Sequence, residues 1–157
     1  MATATQILGW IKNCFDKREW SYEELEDRPA LRSSGFPVKC KFSSVKIIIN
    51  CNDTSFLIHG YIPLDADEDC RQRVAEYFTR ANYGLRYGNF EMDFRDGEMR
   101  YKHVVDCEGM TSLSDDVLMS NLSLPLRMIE RYGDNLIAVM YGIKTPEEAI
   151  NDAESDK

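Results

Sequence analysis

Few side chains in this chain could do chemistry: it has two histidines and five cysteines. A zinc or general-base site needs such groups to converge with carboxylates at ligand-like spacing. His59 falls inside an apolar run and His103 on the apolar side of a hairpin, and no spacing draws them together. Both read as core or edge histidines. Cys14, Cys40, Cys51, Cys70 and Cys107 are odd in number, widely spaced and free of C-x-x-C pairs, the pattern of small, reduced, buried thiols. No serine sits in a G-x-S-x-G elbow. Gly84, Gly88, Gly97 and Gly109 lack the spacing of a phosphate cradle. Asp65, Asp67, Glu68 and Asp69 crowd a helix start without the pattern of a calcium loop. The sequence predicts no catalytic residue, no metal site and no cofactor.

The segment best suited to recognition is Asn82-Tyr83-Gly84-Leu85-Arg86-Tyr87, on a helix-to-strand connection. Tyrosine and arginine dominate the hot spots of protein interfaces, so Asn82, Tyr83, Arg86 and Tyr87 form the candidate interaction surface. The competing reading packs Tyr83 and Leu85 under the loop and leaves Arg86 on its rim.

Elements must position these residues, and 157 residues suffice for one domain with its own core, ending in an acidic tail from about residue 145. Acidic residues outnumber basic ones 27 to 19, a net charge of −8, which repels phosphate backbones and argues against nucleic acid as partner. No apolar run approaches the roughly 20 residues a bilayer needs, and the N-terminus lacks the basic start of a signal peptide. A soluble, cytoplasmic chain that does not engage membranes is expected.

Ile7, Leu8, Ile11 and Phe15 predict a helix over 5–17. The stretch 19–35, with Pro29 and Ser33-Ser34-Gly35, reads as irregular, with at most a short strand anchored by Trp20 and Tyr22. Alternation of Val38, Cys40 and Phe42 with lysines predicts a strand. The apolar runs 45–51 and 56–62 predict two more, joined by an Asn52-Asp53 turn that sets Ile49 opposite Phe56, Ile47 opposite Ile58 and Ile48 opposite Leu57. A helix follows, opened by a capping box from Asp65 to Glu68 and ended near Gly84. Asp96-Gly97 predicts a type I′ hairpin pairing Phe94 with Met99, Met92 with Tyr101 and Phe90 with His103. Its other face would pair Asp93 with Arg100, Glu91 with Lys102 and Arg95 with Glu98. Ser114 opens the last long helix, which Pro125 and Gly133 should kink or interrupt. The fold class is α+β: an antiparallel sheet of four to five strands with helices, in the order α-β-β-β-α-β-β-α.

The stretch Arg80 to Lys102, RANYGLRYGNFEMDFRDGEMRYK, resembles the signature of the YbjN family of bacterial sensory transduction regulators. Asp106-Cys107-Glu108-Gly109 is similar to a D-x-E-G turn of that family, and Tyr132 to Gly142 and Thr145 to Ile150 resemble its last helix and tail. The Trp20-Ser21-Tyr22-Glu23-Glu24 stretch and the Tyr61-Ile62-Pro63 strand end also fit, so the likeness spans about 7–150. Between Val38 and Asn50 the chain departs from the family's glycine-bearing turn. The resemblance implies a fold similar to the small, acidic, often dimeric chaperones of type III secretion, which bind extended client segments and catalyse nothing. It carries over no catalytic residue.

These observations together favour a non-enzymatic protein-binding module, a chaperone-like adaptor or a regulator, whose partner is another protein or a second copy in a homodimer. The alternative is a small-ligand sensor or enzyme with its pocket between the sheet and the last long helix.

Overall fold

The computed structural model describes residues 1–155. Helix α1 (Ala4–Lys17) precedes four strands: β1 (Glu23–Glu24), β2 (Ala30–Pro37), β3 (Ser44–Cys51) and β4 (Ser55–Tyr61). A 3-10 turn at Glu68–Cys70 opens α2 (Arg71–Tyr83); β5 (Asn89–Met92), β6 (Met99–Asp106), α3 (Asp115–Met140) and α4 (Pro146–Glu154) follow. The strands form one antiparallel sheet of six in the order β1-β2-β3-β4-β6-β5. The α+β class holds, and a two-residue β1 extends the expected sheet at one edge.

Local chemistry explains the helix starts. Thr3 and Gln6 exchange hydrogen bonds in a capping box that begins α1. Ser114 accepts from the Val117 amide at the start of α3, where Asp115 and Asp116 suit the helix dipole. The capping box expected from Asp65 is absent: Asp67 holds the N-cap position without a side-chain hydrogen bond, and a 3-10 turn starts the element.

Strand β2 occupies the stretch that reads as irregular. Ser33-Ser34-Gly35 does not break the chain; it makes a bulge, with a register shift between Ser33 and Phe36 and Gly35 at φ +82°. The strand expected at 38–42 is instead a loop laid on α3. Its Lys39 and Lys41 amides donate to Glu130 and Asp134, while Cys40 and Phe42 rest against Gly133. Alternation there records contact with a helix.

Both hairpins keep their predicted faces but shift register by two residues. In the first, Asn52 Oδ1 accepts from the Thr54 and Ser55 amides, which centres the turn on Asp53-Thr54. Cys51 therefore faces Phe56, Ile49 faces Ile58 and Ile48 faces His59. In the second, Asp93 Oδ1 accepts from the Arg95 amide and the Gly97 amide donates to the Asp93 carbonyl, closing a longer loop. Phe90 consequently meets Tyr101 and Met92 meets Met99. Phe94 lies in the loop and is 52% exposed, against the expectation that it joins the apolar face. Arg95 pairs with Asp93 instead of Glu98, and Glu91 binds both Arg100 and Lys102.

Helix α3 runs unbroken through Pro125 and Gly133, contrary to the expected interruption. Both residues mark its closest approaches. A Cβ on Gly60 of β4 would lie 3.1 Å from the Pro125 Cβ, and one on Gly133 would lie 3.1 Å from Cys40 Sγ. Five rings, Tyr77, Phe78, Phe90, Tyr101 and Tyr132, tie α2 and α3 to β5 and β6. The Tyr77 hydroxyl donates to the Tyr132 carbonyl.

Gly97 is the most constrained turn position. Its φ is +81°, and an added Cβ would stand 2.0 Å from the Ala66 carbonyl oxygen, whose own amide donates to the Gly97 carbonyl. Gly97→Ala should cost more than about 3 kcal/mol, whereas Gly109→Ala, also at φ +81° but facing open space, should cost about 1–2 kcal/mol. Urea unfolding of the two variants checks this; equal losses would contradict it.

Candidate functional site: an uncovered sheet face

Side chains alternate across the sheet, and the helices take one face. Ile47, Ile49, Phe56, Ile58, Met99 and Tyr101 are fully buried on that side. Their neighbours in sequence point to the opposite face, on which no helix packs among the described residues.

That face is built in rows by cross-strand pairing. One row reads Lys46, Tyr61, Arg100, Glu91; the next Arg32, Ile48, His59, Lys102, Asn89; the third Ala30, Asn50, Leu57, Val104; and the last Ser55 and the exposed Asp106. Lys46 Nζ lies 4.8 Å above the Tyr61 ring centroid, and the Arg100 guanidinium lies 5.9 Å from the same centroid. Arg100 also donates to the Tyr61 hydroxyl and to Glu91, and Lys102 Nζ sits 2.9 Å from Glu91. Burial would raise the Glu91 carboxyl, but hydrogen bonds from Lys102 and Arg100 outweigh it and hold the group below its ordinary range. Val104, at 54% exposure, neighbours Val105 at 7% on the helical side.

His59 sits at the centre. It is 6% exposed, and among the described residues neither ring nitrogen has a hydrogen-bond partner. Burial, aided by the charge of Arg100 and Lys102 and opposed by Glu91, draws its pKa from 6.5 to about 4. The ring is therefore neutral at pH 7. His103, on the helical face, is satisfied by Asn121 at 2.8 Å.

The thiols are poor nucleophiles here. Burial pushes Cys51 up to about 12, and burial together with the Asp115 carboxylate, which accepts the Cys14 S–H at 2.9 Å, raises Cys14 to about 11. Among the described residues no group of three or more His, Cys, Asp or Glu side chains is arranged to hold a metal ion.

The segment singled out from sequence divides. Tyr83 is 95% exposed and Tyr87 57%, so Tyr83 does not pack under the loop; Leu85 does, half-buried against the core. Arg86 is exposed. The Tyr87 carbonyl accepts from the Tyr101 hydroxyl. Asn82 is committed elsewhere: its amide accepts from the Phe90 N–H at 2.8 Å and donates to the Phe90 carbonyl at 2.9 Å, satisfying part of the outer edge of β5. Sequence reading missed the Lys46–Tyr61–Arg100 row, because it depends on a strand order that no local spacing encodes.

A family model described as "Putative bacterial sensory transduction regulator" matches residues 8–138. This chain belongs to the YbjN family. Its structure is similar to the crystal structure of YbjN, a putative transcription regulator from E. coli, with a TM-score of 0.60 at 12% identity over 90% of this chain and 96% of that one. At that identity the likeness establishes the fold. No curated protein matches the sequence. The stretch most like the YbjN signature, 80–102, contains the Asn82 clamp and the Glu91–Arg100–Lys102 cluster. No helix of the described residues is long and apolar enough to cross a membrane.

Two outcomes follow for this YbjN-family chain. Between pH 6.5 and 4 the unfolded chain binds a proton at His59 that the folded chain refuses, so stability falls as pH drops through that window. His59→Leu should flatten that limb and add about 1–2 kcal/mol at pH 7 by removing unpaired polar atoms. Urea midpoints measured across the window check it; an unchanged slope would place the titration elsewhere. Asn82→Ala should cost about 1–3 kcal/mol and free the β5 edge, giving self-association by light scattering. A variant as stable and monodisperse as the parent would show that the clamp is dispensable.

Proposed function

We propose that this chain is a non-enzymatic regulatory adaptor that binds another protein across the sheet face opposite its helices. One observation carries the reading: a six-stranded sheet with its helices packed on a single side, leaving Val104, Tyr61 and Lys46 accessible on the other. Aromatic and cationic side chains around an apolar strip are the groups protein interfaces use. The membership in a family described as regulators agrees with it.

The alternative, a sensor or enzyme with a pocket between sheet and α3, meets a packing objection. The Gly60 backbone approaches Pro125 and Ile129 so closely that a Cβ would already be tight at 3.1 and 3.2 Å, and that crossing has no room for a ligand. The depressed His59 also lies on the other side of the sheet.

A photo-cross-linking residue in place of Val104, expressed in the source cell, should yield a discrete adduct with a protein, while the same residue at exposed Asn13 on α1 should not. A homodimer would appear as an adduct of twice the chain's mass. No adduct at either position, or identical adducts at both, would contradict the reading.

A further inference from the structure

Two backbone bridges fix the shape of one end of the sheet. The Ile62 amide donates to the Met99 carbonyl at 3.0 Å and the Ala66 amide to the Gly97 carbonyl at 2.8 Å. The chain between these bridges, Pro63-Leu64-Asp65, arches outward and is exposed. Arg71 of α2 fastens the arch to the second hairpin loop, donating to the Ala66 carbonyl at 3.0 Å and to the Phe94 carbonyl at 3.1 Å. Gly97 serves the same closure, since a Cβ there would strike Ala66. Along the arch runs a groove of about 510 Å³, lined by Lys46, Tyr61, Leu64, Asp65 and Glu98 among others. Small-molecule sites typically measure roughly 300–1,000 Å³.

The groove carries charges of both signs that do not neutralise one another. Among the described residues Asp65 and Glu98 form no ion pair, and Lys46 Nζ lies over the Tyr61 ring, not against a carboxylate. The neighbouring cation, Arg100, is held by Glu91. Tyr61, Pro63 and Leu64 supply an apolar side.

We propose that this groove binds a small zwitterion, an α-amino acid or dipeptide with an apolar side chain. Asp65 and Glu98 would hold its ammonium, Lys46 its carboxylate, and Tyr61 and Leu64 its side chain. The site stands beside the protein-binding reading and does not rest on it. The opposed charges select the ligand. An anion, phosphate included, meets two carboxylates, and an organic cation meets Lys46. A metal ion would face the same ammonium, and no group of three or more His, Cys, Asp or Glu side chains among the described residues is arranged to hold one. An uncharged apolar molecule would strip water from three charged groups and replace none of its hydrogen bonds. A zwitterion replaces that water at both signs with charge-assisted hydrogen bonds. Lys46 keeps its three N–H donors for this, because its contact with Tyr61 is with the face of the ring. The pinned arch needs no ordering on binding, which lowers the cost of capture.

Amide NMR titration of the full, isotope-labelled chain tests the proposal. The probes are leucine, dileucine, leucinamide, which lacks the carboxylate, and N-acetyl-leucine, which lacks the ammonium. Leucine or dileucine should shift the amides of Leu64, Asp65 and Glu98 saturably, and whichever binds tighter tells a free amino acid from a peptide as the natural source. Both blocked compounds should bind at least about fivefold more weakly. Lys46→Gln should weaken the zwitterion by a similar factor and not weaken leucinamide. Glu98→Gln should weaken the zwitterion and not weaken N-acetyl-leucine. Both positions are exposed, and the amide spectrum of each variant reports its fold directly. Absence of saturable shifts at these amides with either zwitterion, or blocked compounds that bind as tightly, overturns the proposal. Either result leaves the protein-binding reading to the Val104 cross-link, which does not involve this groove.

Discussion

Burial of one sheet face under the helices decides everything else in this molecule. Ile47, Ile49, Phe56 and Ile58 are fully buried beneath α1 and α3, each stabilising the fold by about 1.5–3 kcal/mol relative to exposure. Because side chains alternate along a strand, committing these residues to the core commits Lys46, Ile48, Leu57, His59 and Tyr61 to the other side. Helix α3 can lie flat on the sheet because Gly60 presents no side chain to Pro125 and Ile129. With the helices gathered on one side, the second face is left to stabilise itself by its own lateral contacts.

It does so with charge. Glu91 between Arg100 and Lys102, and Tyr61 beneath Lys46 and Arg100, form a connected polar lattice across β3, β4, β6 and β5. Partly exposed ion pairs of this kind contribute little to stability individually. Enclosing His59 with two unsatisfied nitrogens actively costs stability. A face that is neither apolar enough to be core nor optimised as solvated surface is understandable if its work is recognition, where local sacrifice of stability is common.

Much of the fold was legible in the sequence, and the reasons for the failures are physical. Long apolar periodicity located α1, β3, β4, α2 and α3, and the acidic start of α3 was readable from Ser114 onward. Turn residues misled on register. Asn52 and Asp93 use their side chains to close their own turns, which moves each ladder by two residues and preserves the faces. Gly97 signals a tight turn locally but is required for contact with Ala66, a partner distant in sequence. Pro125 and Gly133 look like helix breakers, yet each marks a tertiary approach. Tyr83 and Tyr87 could be singled out by residue type but their exposure could not, since nothing local says whether they pack under the loop, and Asn82 gives no local sign that it clamps Phe90. The rows of the open face were illegible, because β6 lies between β4 and β5 and brings Arg100 beside Tyr61 across a span that includes α2.

Hydroxyl-radical footprinting of Val104 and Val105, in the purified chain and inside the source cell, tests the central claim that the sheet face opposite the helices is open and is the surface a partner covers. The account predicts rapid labelling of Val104 and slow labelling of Val105 in the purified chain, with Val104 becoming protected in the cell. Val104 labelling as slowly as Val105 in isolation, or as quickly in the cell as in isolation, would contradict it.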